Sequence, residues 1–418
     1  MLRFLPTHKL PTDAIKFNDF KSEKELYTAL NACMPRLSNG ITIDLSKVRK
    51  HHHKQAIIAF VCRRLYTFNK YVSNNNEIEK QVTIHIYGEY DQAVHTKQKR
   101  IWATSDLCNE PSNVATPEYM CRVAKRLFKN DKNTKVTVLD HKAIVKEGLR
   151  LIDAVGKASS KKPRLLIVEY KGSPNAPTIC ICGKGVVFDA GGVNLKTQLG
   201  NEFWMMKGDK TGGCVVIGIM KYLSETRSPV NVVGVVPFVE NIVSGDVSNP
   251  GDIIRSHKGL TVEISNTDAE GRLILADAFS YCSRFNPKYL LDFATLTKWA
   301  KSLHCETSAI FFSANPKIHT MIDELSEVTG ERMWGMPKWL DSMESCKSKV
   351  ADLINHDFVV DGECTEGVGF MATMFLAHFV PCDIKNWVHF DITNGKRKHM
   401  LYANALNTGI ELIKKLSK

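Results

Sequence analysis

The sequence predicts an α/β protein of two domains: a smaller N-terminal α/β domain and a larger C-terminal α/β domain with a mixed sheet flanked by helices. Three observations lead there. The chain has 418 residues, more than one hydrophobic core usually supports. Beyond residue 130, short apolar runs alternate with helical patterns, the rhythm of strands covered on both faces. Between the two parts, Asn109-Glu110-Pro111-Ser112-Asn113 is rich in residues that break regular structure. These place an N-terminal domain at 1–105, a linker helix region at 106–130 and the larger domain at 131–418.

In the first part, Ile41-Thr42-Ile43-Asp44-Leu45 and Val82-Thr83-Ile84-His85-Ile86-Tyr87 alternate apolar and polar residues, as half-buried strands do. Gln55 to Tyr71 carries apolar residues at helical spacing, and Asn74-Asn75-Asn76-Glu77 signals a polar loop. This part holds no cluster of groups suited to catalysis. At the boundary, Thr116 is placed to cap a helix with Pro117 in its first turn, running to about Phe128.

Strands are then expected at Val136–Leu139, Leu165–Glu169, Thr178–Cys182, Val230–Pro237, Thr261–Ile264, Tyr289–Phe293 and Trp387–Ile392. Helices are expected at Gly212–Leu223, Leu273–Phe285 and Phe370–Phe379. In sheets of this kind, ligands sit beyond the carboxyl ends of the strands.

Composition narrows the class. No apolar run reaches the roughly 18 residues needed to cross a bilayer. The opening Met1-Leu2-Arg3-Phe4-Leu5-Pro6 turns polar too quickly for a secretory signal. Twelve cysteines occur without a C-x-x-C pair, which argues for buried free thiols in a reducing cytoplasm over a disulfide frame or a zinc knuckle. Cys180 and Cys182 alternate within an apolar run, as side chains packed on one face of a strand do. The net charge of +12 and the basic clusters Lys47–Lys54, Lys157–Arg164 and Lys396–Lys398 permit contact with nucleic acid. No aromatic interleaving or nucleic-acid motif accompanies them, so a solvated lysine-rich surface is the main reading. His51-His52-His53, flanked by lysines, reads as a solvated turn and not as a metal site.

The chemistry concentrates in three segments. Gly183-Lys184-Gly185-Val186-Val187-Phe188-Asp189-Ala190-Gly191-Gly192-Val193-Asn194-Leu195-Lys196 leaves an apolar strand for a glycine-dense loop, where backbone can approach a ligand closely. Neither phosphate-loop glycine pattern is present. Met205-Met206-Lys207-Gly208-Asp209-Lys210-Thr211 precedes a helical run, which Asp209 could equally cap. Asn266-Thr267-Asp268-Ala269-Glu270-Gly271-Arg272-Leu273 joins a strand to a helix and sets two carboxylates two residues apart. Together the loops offer Asp189, Asp209, Asp268 and Glu270. Such oxygen-rich, sulfur-free ligation suits magnesium, manganese or zinc. Four carboxylates exceed the needs of one ion, which points to a bridged pair.

At these segments the chain closely resembles the leucyl aminopeptidase family, the cytosolic, hexameric, dinuclear aminopeptidases. Asn266 to Leu273 matches the family's signature octapeptide in full, and Gly183-Lys184-Gly185, Phe188-Asp189, Gly191-Gly192 and Lys196 match its metal-binding loop. Further echoes are Asp106-Leu107-Cys108-Asn109-Glu110-Pro111, Glu240-Asn241, Pro250-Gly251-Asp252, Ala294-Thr295-Leu296-Thr297 and Trp387-Val388-His389-Phe390-Asp391-Ile392. The resemblance covers about residues 100 to 395, and the part before it looks like a shortened form of the family's variable first domain.

The resemblance implies an aminopeptidase that removes N-terminal residues from peptides with two divalent ions, zinc or manganese, with magnesium or cobalt as further options. Lys184, Asp189, Asp209, Asp268 and Glu270 would hold them, with Asp189 and Glu270 bridging. Lys196 would polarise the peptide carbonyl, and Arg272 would hold a bicarbonate ion as proton relay. Met206 and Thr295 match positions of the pocket for the first side chain. The chain departs from the family at Lys298-Trp299, where glycine usually follows the threonine, at Thr393-Asn394, and along the tail 395–409. Lys298 would then narrow that pocket or favour an acidic side chain. A rival reading keeps the scaffold as a non-catalytic, DNA-binding hexamer. A phosphoester hydrolase is disfavoured by the octapeptide.

Overall fold

The computed structural model describes residues 2–73, 82–197, 200–299, 309–360, 363–365, 369–393, 396–397 and 400–418. The polar loop expected at 74–77, Asn394, Gly395 and Lys398 lie outside them.

Between Leu2 and Tyr87 the chain folds around a four-stranded, all-parallel sheet of β1 (Leu2–Pro6), β2 (Ile15–Lys16), β3 (Thr42–Asp44) and β4 (Val82–Tyr87), in the order β1-β4-β3-β2. Helices α1 (Glu23–Cys33) and α2 (His51–Leu65) form the crossovers. The histidine run is therefore not a solvated turn. It is the first turn of α2, with His53 3% exposed beneath the ring of Phe20. Helix α3 (Gln92–Asn109) runs unbroken through residue 105. After it, α4 spans Pro117–Phe128, with the Thr116 hydroxyl accepting from the Tyr119 N–H at 3.2 Å, the cap expected from the sequence.

From there strands and helices alternate: β5 (Thr134–Leu139), α5 (His141–Lys146), α6 (Arg150–Gly156), β6 (Arg164–Lys171), β7 (Thr178–Gly183), β8 (Gly185–Asp189), α7 (Thr211–Glu225), β9 (Asn231–Asn241), β10 (Ile253–Arg255), β11 (Thr261–Glu263), α8 (Glu270–Cys282), β12 (Tyr289–Ala294), β13 (Ala309–Phe312), α9 (Pro316–Thr329), β14 (Met333–Gly335), β15 (Leu353–Ile354), β16 (Phe358–Val360), β17 (Glu363–Thr365), α10 (Gly369–Ala377), β18 (Trp387–Asp391) and α11 (Leu406–Leu416). Nine of these strands make one mixed sheet in the order β14-β13-β18-β12-β7-β9-β6-β5, with β8 pairing β9 beyond β7. Thr261–Glu263 forms a strand as expected but joins β10 and β15 in a separate small sheet.

The centre of the large sheet, β18-β12-β7-β9, is parallel, so these carboxyl ends share one edge. The period of two along each strand sends alternate side chains to opposite faces. Ile179, Ile181, Leu291, Phe293, Val388 and Phe390 pack with α7 and α11 on one side, in a core that continues into the N-terminal sheet. Cys180, Cys182, Leu290 and Trp387 pack with α6, α8 and α10 on the other. Both faces are covered, which is why the strands read as continuous apolar runs. No helix among the described residues is long and apolar enough to cross a membrane. Ten described cysteines are free thiols, all buried except the half-buried Cys382, and the Sγ atoms of Cys182 and Cys282 lie 3.5 Å apart.

Candidate metal centre

The shared carboxyl edge gathers the three sequence segments. Lys184 sits in the one-residue break between β7 and β8, Asp189 ends β8, and Glu270 opens α8 just after Asp268. Asp209 is the penultimate residue of a stretch of 3₁₀ turns (Gly200–Lys210) that leads into α7. It makes no side-chain cap for that helix, and its carboxylate faces the pocket instead. Two glycines make the approach possible. A Cβ on Gly271 would lie 2.7 Å from Lys184 Cε, so only glycine lets the lysine stem pass α8. Gly191 has φ +94, and a Cβ there would press on Asp268 Oδ1 at 3.1 Å.

The result is two lysines interleaved with four carboxylates. Lys184 Nζ lies 2.8 Å from Asp209 Oδ2 and 2.8 Å from Glu270 Oε1, and donates to the Thr295 carbonyl at 2.8 Å. Lys196 Nζ lies 2.8 Å from Asp189 Oδ2 and also contacts Asp268 Oδ1. Lys184, Asp189 and Glu270 are at most 4% exposed. Burial alone would lower the Lys184 ammonium, but Asp209, Glu270 and Asp189 outweigh it and hold the group above the usual lysine range. Lys196 is held up in the same way by Asp189, Glu270 and Asp268, against its burial.

The acids respond to the reverse balance. Burial, then the neighbouring Glu270, pushes Asp189 well up and raises Asp268. Burial takes Asp209 to about 6 against the pull of Lys184. Only Glu270 stays below its usual range, because the two lysines overcome its burial.

The arrangement is short of positive charge, since two ammonium groups cannot neutralise four carboxylates, three of them buried and Asp268 half-buried. Glu270 Oε2 is buried and accepts no hydrogen bond. One oxygen each from Asp189, Asp268 and Glu270 lie within 4.8 Å of one another, close enough to share a cation. The donor set of oxygens plus one amine fits the hard or borderline divalent ions expected from the sequence.

All the other sequence-predicted residues line the same cavity of about 460 Å³: Lys196, Arg272, Met206, Thr295 and Lys298, the last exposed at its rim. Arg272 is 4% exposed and donates from Nη1 to the Asn355 carbonyl at 2.7 Å. Burial lowers its guanidinium to about 10, so it stays charged at neutral pH.

Four supporting residues carry no motif of their own. Asn355 accepts from the Ser265 and Asn266 N–H groups and donates to the Asn266 carbonyl, pinning the octapeptide. Asn241, at the end of β9, donates to Asp189 Oδ1 at 2.9 Å and to the Thr267 carbonyl at 3.1 Å. Asp391, at the end of β18, accepts from the N–H groups of Leu296, Thr297 and Thr393 and from the hydroxyls of Thr297 and Thr393. It thereby fixes the loop whose Thr295 hydroxyl donates to Asp209 Oδ1 at 2.7 Å and whose Thr295 carbonyl receives Lys184. Asp357 lines the cavity at φ +52, with His356 Nδ1 2.7 Å from its carboxylate. Asn241 and Asp391 lay within stretches that echo the family, but nothing in the sequence alone announced what they hold.

Comparison with known proteins identifies the family. A family model described as the cytosol aminopeptidase family, catalytic domain, matches residues 102–413. A probable cytosol aminopeptidase of Syntrophotalea carbinolica is 40% identical over 290 residues, 69% of this chain and 56% of that protein's length. One of Rickettsia canadensis is 33% identical over 412 residues, 94% of this chain and 80% of the relative. Among solved structures, the cytosol aminopeptidase of Coxiella burnetii superposes with a TM-score of 0.81 at 26% identity, covering 93% of this chain and 84% of the other. The bottromycin maturation enzyme BotP, solved in complex with Mn, gives 0.80 at 25% identity, covering 96% and 89%.

Proposed function

The chain belongs to the cytosol aminopeptidase family, and from that premise we propose that it releases N-terminal amino acids from peptides with two divalent cations held by Lys184, Asp189, Asp209, Asp268 and Glu270. One observation carries the reading: all five side chains, with Lys196 and Arg272, converge on one cavity at the carboxyl edge of the parallel strands. When bound, two such ions supply a water nucleophile at neutral pH and Lewis-acid polarisation of the scissile carbonyl. The Mn complex of BotP supports manganese as one of the metals, alongside zinc, magnesium or cobalt.

The chain's own groups then have distinct tasks. Asp189, beside Lys196, and Glu270, beside Lys184, would be the acids shared by the two ions. Lys184 becomes a ligand only by giving up its proton, which its carboxylate neighbours resist until their charge is taken up by cations. Lys196, drawn off Asp189 and Asp268 by the same change, presents its ammonium to the peptide carbonyl oxygen and stabilises the oxyanion that forms there. Arg272, buried and charged, would hold a bicarbonate ion, which supplies a proton relay toward the leaving amine. Met206, Thr295 and Lys298 would shape the space for the first side chain. Assembly as a hexamer, a cytoplasmic location and the division at 105 and 130 belong to the same reading.

Metal analysis of the purified protein and hydrolysis of Leu, Ala, Met, Asp and Lys substrates test it together. About two metal ions per chain, with activity lost to a chelator and restored by manganese, cobalt or zinc, are expected. Failure to release any N-terminal residue from a metal-loaded protein overturns it.

A further inference from the structure

Just beyond Asn355 the chain takes a conformation that most side chains avoid. Asp357 has φ +52, in the left-handed region where Cβ crowds the backbone and few residues other than glycine, asparagine and aspartate are found. Such strain persists only where the surroundings hold it, and it gathers at sites that use it.

The surroundings here are rigid. Asn355 is fully buried; it accepts from the Ser265 and Asn266 N–H groups and donates to the Asn266 carbonyl. Its own carbonyl receives Arg272 Nη1 at 2.7 Å. Asp357 follows two residues later and lines the same cavity as Arg272. Burial lowers the Arg272 guanidinium, and the nearby Cys346, Glu270 and Asp357 oppose it, so Asp357 sits on the Arg272 flank. His356 Nδ1 meets Asp357 Oδ1 at 2.7 Å. The His356 side chain is 16% exposed and that of Asp357 44%, so the imidazole restrains the carboxylate without covering it.

Charge sets this residue apart. Five acids line the cavity among the described residues: Asp189, Asp209, Asp268 and Glu270, which are the proposed metal ligands, and Asp357. Asp357 is therefore the one lining carboxylate that the cations do not claim.

Its position relates it to one part of a bound peptide. Lys196 is assigned to the scissile carbonyl, and Met206, Thr295 and Lys298 to the first side chain. Arg272 serves the leaving amine, which belongs to the second residue, and Asp357 opens on that flank.

We propose that Asp357 selects the second residue of the peptide, favouring a lysine or arginine side chain there and disfavouring an acidic one. The inference rests on the aminopeptidase reading and deepens it. A long, flexible cationic side chain can pair with a half-exposed carboxylate on a cavity wall, whereas a glutamate at the same place meets a like charge. The cavity's own cations do not offset this, since Lys196 and Arg272 have tasks at the oxyanion and the bicarbonate, and Lys298 stands at the rim of the other pocket.

Hydrolysis of Leu-Lys-amide, Leu-Ala-amide and Leu-Glu-amide by the metal-loaded full chain tests the selection. Amides keep a terminal carboxylate out of the comparison. The readout is the ratio of kcat/KM for the lysine substrate to that for the glutamate substrate, which does not depend on the fraction of active protein. The wild-type ratio should be roughly 3–10, the scale of one half-exposed charge pair and one like-charge contact. In D357N, which keeps the volume and tolerates the left-handed backbone, the ratio should fall at least about threefold, with the alanine substrate between the other two. D357G removes the charge and relieves the backbone; it should fall in the same way, and it decides the matter if the asparagine variant does not fold. A merely structural role would slow all three amides alike and leave the ratio where it was. That result, or a wild type that prefers glutamate or shows no preference, overturns the selection. A metal-loaded wild type that hydrolyses none of the amides condemns the aminopeptidase reading instead.

Discussion

The metal centre and a second cavity, lined by Arg63, Arg64, Arg332 and Glu331 where α2 meets the end of α9, meet at two consecutive residues, Leu401 and Tyr402, yet their charged residues differ in sign. One collects four carboxylates around two lysines; the other collects three arginines around one glutamate. A net charge of +12 describes neither. Ligand choice is set within the few ångströms over which buried charges act unscreened, and the surplus of lysine over the whole surface says little about it. The acidic site tolerates its own repulsion because its lysines sit between the acids, leaving a remainder for cations to neutralise.

The sharpest way to break the contrast is to remove the acid whose charge both lysines stabilise most clearly. Glu270 pairs with Lys184 at 2.8 Å, and against its burial the charges of Lys184 and Lys196 make it the one acid of the four whose carboxyl stays below its usual range. Glu270→Ala should reduce activity to background and cut metal uptake, measured by metal analysis after dialysis. Wild-type turnover in that variant would refute the bridging role.

Next in size is the electrophile. Lys196→Ala should lower kcat by ~10²–10³-fold, the scale for loss of one preorganised charge at a developing oxyanion. Metal content should hold, because Lys196 is not among the ligands, and a fall in metal content equal to the fall in rate would reassign it.

A smaller effect is expected from Asp391, which acts only through the 295–297 loop. Asp391→Asn keeps the volume but turns an acceptor of five hydrogen bonds into half a donor. We expect roughly a 10–100-fold loss of metal affinity or activity, as for outer hydrogen-bond partners of metal ligands. Unchanged metal affinity with unchanged KM and kcat would show that the loop holds Thr295 without it.

The candidate metal centre was largely legible because its proposed ligands cluster in short glycine-rich runs where strands end, and glycine there has a physical cause in Gly191 and Gly271. What supports those ligands was not. Asn355 follows a two-residue strand and acts through backbone groups of the octapeptide ninety residues away, a relation that no local pattern carries. Helix α3 escaped because tertiary burial of Lys97, Gln98, Thr104, Ser105 and Asn109 leaves it no simple apolar stripe. The histidine run misled for the same reason: flanking lysines suggested solvent, while His53 is covered by Phe20. The arginine-lined cavity draws on residues 27 to 407 and has no contiguous signature at all.

The smallest expected effect lies under the metal centre, where one more buried pair obeys the same local arithmetic. His389 and Asp292 occupy paired positions on β18 and β12, both fully buried, with Nδ1 2.7 Å from Oδ1 and the Trp387 indole donating to Oδ2 at 2.9 Å. Burial alone would lower the imidazole, but Asp292 outweighs it and raises the pKa above the ordinary histidine value. The folded state therefore binds this proton more tightly than the unfolded chain does. The stabilisation is fully present below the unfolded value of about 6.5 and is lost as pH rises through the higher folded value. Urea midpoints of the metal-loaded protein should decline across that window, more steeply than in His389→Gln, which has no such proton to lose. Parallel midpoint curves for the two proteins between pH 6 and 9 would mean that the pair does not gain its proton on folding, and that the charge balance argued for the metal centre does not extend into the sheet beneath it.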